Sequence, residues 1–201
     1  MKDLKYLQIY NEYLPVNIFK KICDLAYKAK EDMNDDLTGN IEREYVLRAE
    51  EDPEINQYLM QISNNKLFAD YHHYLSQLFS SRKCKPVLAK TWVNFQQKNE
   101  FNPLHTHDGI FSFVIFVKIP YDCEDYKTKF PKTKPENIKV GMLSFQHIDP
   151  WVGRPMSVDI SLNPKYEGGI YFFKSKHVHQ VYPFYDTDEF RVTVSGNIHL
   201  L

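Results

Sequence analysis

The spacing of apolar residues switches from a helical to a strand-like period near Val87, and that switch restricts the architecture more than any other feature of the chain. Between Val16 and Lys30, just after Leu14-Pro15, the residues Phe19, Ile22, Cys23 and Ala26 recur on one face, which predicts a helix starting at about Pro15. Glu54 to Phe79 repeats the pattern through Ile55, Leu59, Ile62, Leu67, Tyr71, Leu75 and Leu78, with a break near Asn64-Asn65. The intervening Glu31 to Asp52 is acidic and aperiodic, apart from a short strand expected within Ile41 to Ala49. Beyond the switch, Val87 to Gln97, Phe111 to Ile119, Val140 to His147, Gly169 to Lys174 and Phe190 to His199 are short runs of β-branched and aromatic residues. Helices first and strands after exclude alternating βαβ units and predict an α+β fold. The strands form a mostly antiparallel barrel or double sheet that hides its edges, with the helices packed on one face. Tyr121 to Lys139, rich in Lys, Asp, Glu and Pro, reads as a mobile surface insertion, either a solvated loop or a lid.

A chain of 201 residues suits one domain, 1–201, with 1–86 as mainly helical support and 87–201 as the β core. Twenty-five Lys and Arg balance 26 Asp and Glu, so no overall field would gather nucleic acid or acidic lipid. No secretory leader and no stretch of about 18 apolar residues is present, which predicts a cytoplasmic protein with no membrane partner. Cys23, Cys84 and Cys123 are odd in number and widely spaced, so reduced thiols are expected rather than disulfides or a thiolate zinc site.

Chemistry concentrates in two histidine pairs, His105/His107 in Asn-Pro-Leu-His-Thr-His-Asp-Gly and His177/His179 further on. Neutral imidazole is the commonest metal-binding side chain, and residues two apart on an extended segment point the same way. His105 and His107 are therefore fitted to address one divalent ion, with His179 as a third donor that leaves the opposite face open. Asp108 is the alternative to His107, because facial iron sites commonly use two imidazoles and one carboxylate. In Phe190-Arg-Val-Thr-Val-Ser-Gly-Asn197, alternation puts Arg191, Thr193 and Ser195 on one face and Val192 and Val194 on the other. A guanidinium beside a hydroxyl suits a dicarboxylic acid, although an exposed strand face with a surface ion pair would carry the same pattern. Upstream, Trp92 and Asn94 share a face, Asn94 being placed to reach a cosubstrate or substrate and Trp92 to fill a wall. His72, His73, His147 and His199 have no comparable setting and read as ordinary hydrogen-bonded histidines.

The succession HTHDG, a Phe/Val/Ile strand, His179-Gln-Val-Tyr-Pro-Phe, and Arg191-Val-Thr-Val-Ser-Gly-Asn197 resembles the 2-oxoglutarate and iron(II)-dependent dioxygenases. It is most similar to the prolyl-hydroxylase-like subgroup common in marine bacteriophages and bacteria, over roughly Lys90 to Asn197. The resemblance implies a double-stranded β-helix, a jelly-roll or cupin-like barrel, with N-terminal helices on one sheet. It also implies Fe(II) and 2-oxoglutarate as cofactors, molecular oxygen as co-reactant, and a peptide (a prolyl peptide included) or small molecule as substrate. Carried over by position, His105 opens the metal motif, His179 is the distal ligand, and Arg191, 12 residues later, anchors 2-oxoglutarate with help from Thr193. His107 stands where the superfamily normally has a carboxylate. Three histidines then hold the iron, or Asp108 takes over, or the site is altered and activity reduced. A phage-encoded protein of this kind would work in the host cytoplasm. The rival is a noncatalytic jelly-roll binding or virion-associated module with structural or zinc-binding histidines, and a three-histidine cupin enzyme without a keto acid is a third reading.

Overall fold

The computed structural model describes residues 1, 3–33, 37–78, 86–149 and 151–201. In chain order it contains β1 (Tyr10–Tyr13), α1 (Val16–Ala26), β2 (Glu44–Val46), α2 (Pro53–Ser63), α3 (Ala69–Leu78), β3 (Pro86–Gln96), β4 (Asn102–His105) and β5 (Phe111–Lys118). There follow α4 (Tyr126–Lys129), β6 (Leu143–Ile148), β7 (Pro155–Ile160), β8 (Gly169–Lys174), β9 (His179–Val181) and β10 (Arg191–Leu200). The Phe79 end of the expected second helix and Cys84 lie outside the described residues.

Local chemistry accounts for the helices. Pro15, which has no N–H to leave unsatisfied, precedes α1, and Ile18, Ile22 and Ala26 recur every fourth residue on its buried face. At α2 the Asp52 carboxylate accepts the backbone N–H groups of Glu54 and Ile55 at 2.9 and 3.1 Å, with Pro53 opening the helix. The expected interruption falls between Ser63 and Ala69, where a short 3₁₀ turn separates α2 from α3.

The strands form two antiparallel sheets, one in the order β1-β8-β5-β10-β3-β2 and the other β4-β9-β6-β7. The larger sheet is apolar on its outer face, where Val93, Phe113, Ile115, Phe172, Val192 and Val194 pack against Ile18, Ile22, Ile55, Leu59 and Ile62 of the helices. On its inner face Phe116, Tyr171 and Phe173 meet Leu143, Phe145, Val158 and Ile160 of the smaller sheet. Among the described residues no strand of one sheet pairs with a strand of the other, so the two sheets face each other without closing into a hydrogen-bonded barrel. Strands β1 and β2, which precede residue 87, complete the two edges of the larger sheet.

The insertion departs from expectation. Tyr121, Cys123, Tyr126 and Ile138 are buried in the core between the sheets, and only the stretch from Lys127 to Asn137 is exposed throughout. Asp186 accepts from Tyr126 Oη and from Lys129 Nζ, which ties the segment to the loop before β10. Its polar composition concealed four apolar or aromatic anchors spaced at its ends. No helix among the described residues is long and apolar enough to cross a membrane.

Phe172 is fully buried, with the rings of Phe68 and Phe111 at 5.6 and 5.4 Å. Phe172→Ala is expected to cost about 3–5 kcal/mol of stability, read as a lower denaturant midpoint with unchanged slope, because it empties the contact between helices and sheet.

Candidate metal centre

The candidate ligands are assembled by strand pairing. His105, the last residue of β4, lies directly opposite His179, the first residue of β9, and their ring centroids are 4.3 Å apart. His107 follows on the turn into β5. That turn is clamped: its His107 N–H donates to the Ser175 carbonyl at 2.9 Å, and Lys176 Nζ donates to the His107 carbonyl at 3.0 Å. Gly109 then takes φ +86°, and a Cβ there would lie 2.5 Å from the Ile198 carbonyl oxygen, so only glycine lets the chain pass.

This geometry separates His107 from Asp108. The His107 ring turns inward, its Nε2 3.2 Å from His179 Nε2, whereas the Asp108 side chain is 92% exposed with Lys176 Nζ at 3.7 Å. The donor nitrogens of His105, His107 and His179 all lie within 4.8 Å of one another. Two nitrogens bound at right angles to an ion about 2.1 Å away would be about 3.0 Å apart, so the 3.2 Å separation of the His107 and His179 nitrogens suits a shared cation, and a small shift would bring in the third.

Tautomers are set from behind. His105 Nδ1 lies 2.7 Å from the Pro103 carbonyl and His179 Nδ1 lies 2.8 Å from the His177 carbonyl. A carbonyl only accepts, so each Nδ1 carries the proton and each Nε2 presents its lone pair to the cavity. Burial depresses the basicity of all three rings: His105 falls below the usual imidazole range, His107 is pushed down to about 4, and His179 falls well below it. Proximity to His105 adds to the effect on His107 and His179. The rings are therefore neutral near pH 7, the state in which imidazole binds a metal. Phe173 and Trp92 pack against His179 and His107, at 4.8 and 5.6 Å between centroids.

Across the cavity, β10 places Arg191, Thr193 and Ser195 on the inner face, at 3%, 6% and 8% exposure. The row is buried, which disposes of the exposed-strand reading. Arg191 Nη1 donates to Tyr121 Oη at 3.0 Å and to the Gly141 carbonyl at 3.5 Å, and Nη2 donates to Gln96 Oε1. These partners are all uncharged, and the buried Nε has no partner. A buried guanidinium held by neutral groups, with one donor unused, has the chemistry of a carboxylate receptor. The three histidines, Arg191, Thr193, Asn94 and Trp92 line one cavity of about 600 Å³. A chelated divalent ion and a small dicarboxylic acid thus fit the residues present.

The other histidines divide, and His147, expected to be hydrogen-bonded, has a buried Nδ1 with no hydrogen-bond partner. His72 Nε2 meets the Ser63 carbonyl at 2.6 Å, and His177 packs on Phe145 and contributes through its carbonyl, whereas His199 lines the cavity. Three residues of this region escaped the sequence reading. Gln96 was within reach, since it shares the period-two face of Trp92 and Asn94. Tyr121 lies in the segment whose polar composition reads as a mobile surface insertion, loop or lid. Glu44 sits in a three-residue strand too short to show alternation, yet it is 1% exposed and lines the cavity.

Residues 90–197 match the model of a protein family whose description reads "Putative 2OG-Fe(II) oxygenase". The chain belongs to this family. The match to the 2OG-Fe(II) oxygenases spans all three histidines and Arg191, and it leaves out the helices that precede β3. In fold the chain resembles a Pseudomonas putida prolyl-4-hydroxylase, with a TM-score of 0.52, 15% identity, and 98% and 95% of the two chains covered. It is also similar to an oxidoreductase of the 2OG-Fe(II) oxygenase family from Burkholderia pseudomallei, at a TM-score of 0.48, 14% identity and 94% and 84% coverage. No curated protein matches the chain.

Burial, with Glu100 and Asp32 adding, pushes the Glu44 carboxyl up to about 7 in this oxygenase. Between about pH 4.5 and 7 the folded chain then holds a proton that the unfolded chain releases, so this residue's contribution to stability is lost as pH rises through that window. Denaturation midpoints measured across that window are expected to fall more steeply, or rise less, in the wild type than in Glu44→Gln.

Proposed function

We propose that this protein is an Fe(II)- and 2-oxoglutarate-dependent dioxygenase that hydroxylates a peptidyl or small-molecule substrate, with prolyl peptides the first candidates on account of the Pseudomonas putida likeness. His105, His107 and His179 are its metal ligands, and Arg191, Thr193 and Asn94 hold the cosubstrate. The whole chain serves as one unit in which the facing sheets are an open form of the double-stranded β-helix. The observation that carries this reading is the meeting of three neutral imidazoles and an underpartnered buried guanidinium in one cavity.

With both groups bound, the centre supplies oxidation of R–H by O₂ and 2-oxoglutarate to R–OH, succinate and CO₂. The chain contributes placement and exclusion of water. Arg191, steadied by Tyr121 and Gln96, receives the distal carboxylate, and the Thr193 hydroxyl adds a hydrogen bond beside it. The Pro103 and His177 carbonyls hold two imidazoles in the ligating tautomer. Phe116, Phe173 and Leu143 form the apolar wall that keeps bulk water from the reacting atoms. His105, His107 and His179, being neutral, would offset none of a bound divalent ion's charge, so they would favour an anionic chelate more than a set that includes a carboxylate.

Anaerobic addition of Fe(II) and 2-oxoglutarate is expected to give a metal-to-ligand charge-transfer band that His179→Ala and His107→Ala abolish and that Asp108→Ala preserves. Loss of the band in Asp108→Ala with retention in His107→Ala would move the third ligand to Asp108. No band in the wild type favours the noncatalytic, zinc-binding module. Arg191→Gln is expected to weaken 2-oxoglutarate binding about 100-fold while Fe(II) binding persists, since the carboxylate loses its charge-assisted bonds. A full rate in that variant would favour a three-histidine enzyme that uses no keto acid.

A further inference from the structure

The cavity extends past the groups assigned to the cosubstrate. About 600 Å³ is in the range that encloses a drug-sized ligand and exceeds what a five-carbon keto acid fills. The remaining wall has a chemistry of its own. On the inner face of the larger sheet Glu44 of β2 lies directly opposite Asn94 of β3, which in turn lies directly opposite Thr193 of β10. Adjacent strands are about 4.8 Å apart, so Glu44 stands roughly 10 Å across the sheet from the row that carries Arg191. One cavity thus has a guanidinium on one side and a carboxyl on the other.

Asn94 lies between them. It is 5% exposed, it lines the cavity, and its Oδ1 is buried without a hydrogen-bond partner. An amide offers donors from nitrogen and an acceptor from oxygen, so Asn94 can serve the cosubstrate with the one and still accept from a second molecule with the other. Asn102 of β4 joins the same wall. A Cβ at Gly39 would collide with Asn102 Oδ1 and lie 3.1 Å from Glu44 Oε1, so two side-chain oxygens converge where the loop before β2 passes over the sheet. Glu50 and Asp108 also line the cavity, so with Glu44 its lining holds three carboxyls against two cations, Lys90 and Arg191. Burial raises the Glu44 carboxyl first, with Glu100 and Asp32 adding to it, and a cation beside it would offset both effects where an anion would worsen them.

Resting on the dioxygenase reading above, we propose that Glu44, Asn94 and Asn102 form the substrate end of the cavity and receive a cationic N–H donor, an ammonium or guanidinium group of the substrate. The substrate then carries a basic amino acid side chain or an amine rather than an acid, which narrows the peptides and small molecules named above to those with a cationic group and sets an uncharged prolyl peptide behind them. Asn94 Oδ1 accepts one N–H, and the Glu44 carboxylate supplies the opposing charge.

The test uses the full chain loaded with Co(II) and 2-oxoglutarate, titrated calorimetrically with three amides, Nα-acetyl-arginine and Nα-acetyl-citrulline methylamides, which match in length and shape, and the shorter, anionic Nα-acetyl-glutamate methylamide. The arginine amide is expected to bind at least about tenfold tighter than the neutral citrulline amide, the gain typical of a hydrogen bond to a charged group, with the glutamate amide weakest. Glu44→Gln is expected to shrink that preference to under about twofold while the cobalt ligand-field spectrum stays unchanged. Equal binding of the arginine and citrulline amides, no binding of any of the three, tighter binding of the glutamate amide, or a preference that survives Glu44→Gln would overturn the inference alone. A wild type that takes neither cobalt nor 2-oxoglutarate would overturn the dioxygenase reading and this inference with it. If Glu44→Gln does not fold, the wild-type ranking and Glu44→Asp, which keeps the charge and shortens its reach, decide the matter: the preference must be present in the first and weakened in the second.

Discussion

A strand covered on both faces has to satisfy two environments with one alternating sequence, and β10 is the strand on which this molecule depends. Paired on one side with β3 and on the other with β5, it sends Val192 and Val194 into the apolar layer beneath the helices and Arg191, Thr193 and Ser195 into the cavity. A slip of one residue would drive a guanidinium into hydrocarbon and two valines into the site, so register and function are specified together. Gly196 reinforces that register, because a Cβ there would lie 2.6 Å from the Phe113 ring.

The polar face carries a cost that the apolar face offsets. Burying Arg191 without a carboxylate is unfavourable, and three neutral acceptors relieve it only in part. The large hydrophobic layer under α1, α2 and α3 supplies stability that the cavity side lacks. The imidazoles follow the same division. Held neutral by burial, they are poor bases in the form that can bind a metal, and Phe173 packs against His179 in the same cavity. The stretch that matches the family contains both the assembled histidines and the buried arginine.

Legibility along the chain followed the strength of local signal. Runs such as Phe111–Lys118 and Gly169–Lys174 are buried on both faces and announced themselves by composition. β1, β4, β7 and β9 did not. Each is short or lies at a sheet edge, and β4 and β7 contain Pro103 and Pro155, so neither apolar run nor alternation marks them. The segment from Tyr121 was misread for a related reason: averaged over its length it is polar, while its packing is done by four side chains. Tyr121 therefore emerged as an Arg191 partner only in three dimensions.

By itself the sequence determined the order of helices and strands, the two histidine pairs, and the polar face of β10, because these rest on periodicity and side-chain chemistry within a few residues. The tertiary structure decided which donors meet. His107 rather than Asp108 turns inward because the Ser175 carbonyl, just after β8, holds the His107 N–H, and because Gly109 passes against the Ile198 carbonyl of β10. The pairing of His105 with His179 and the placement of Glu44 beside Asn94 depend likewise on strands distant in the chain, and contacts of that kind are fixed by packing rather than by local preference.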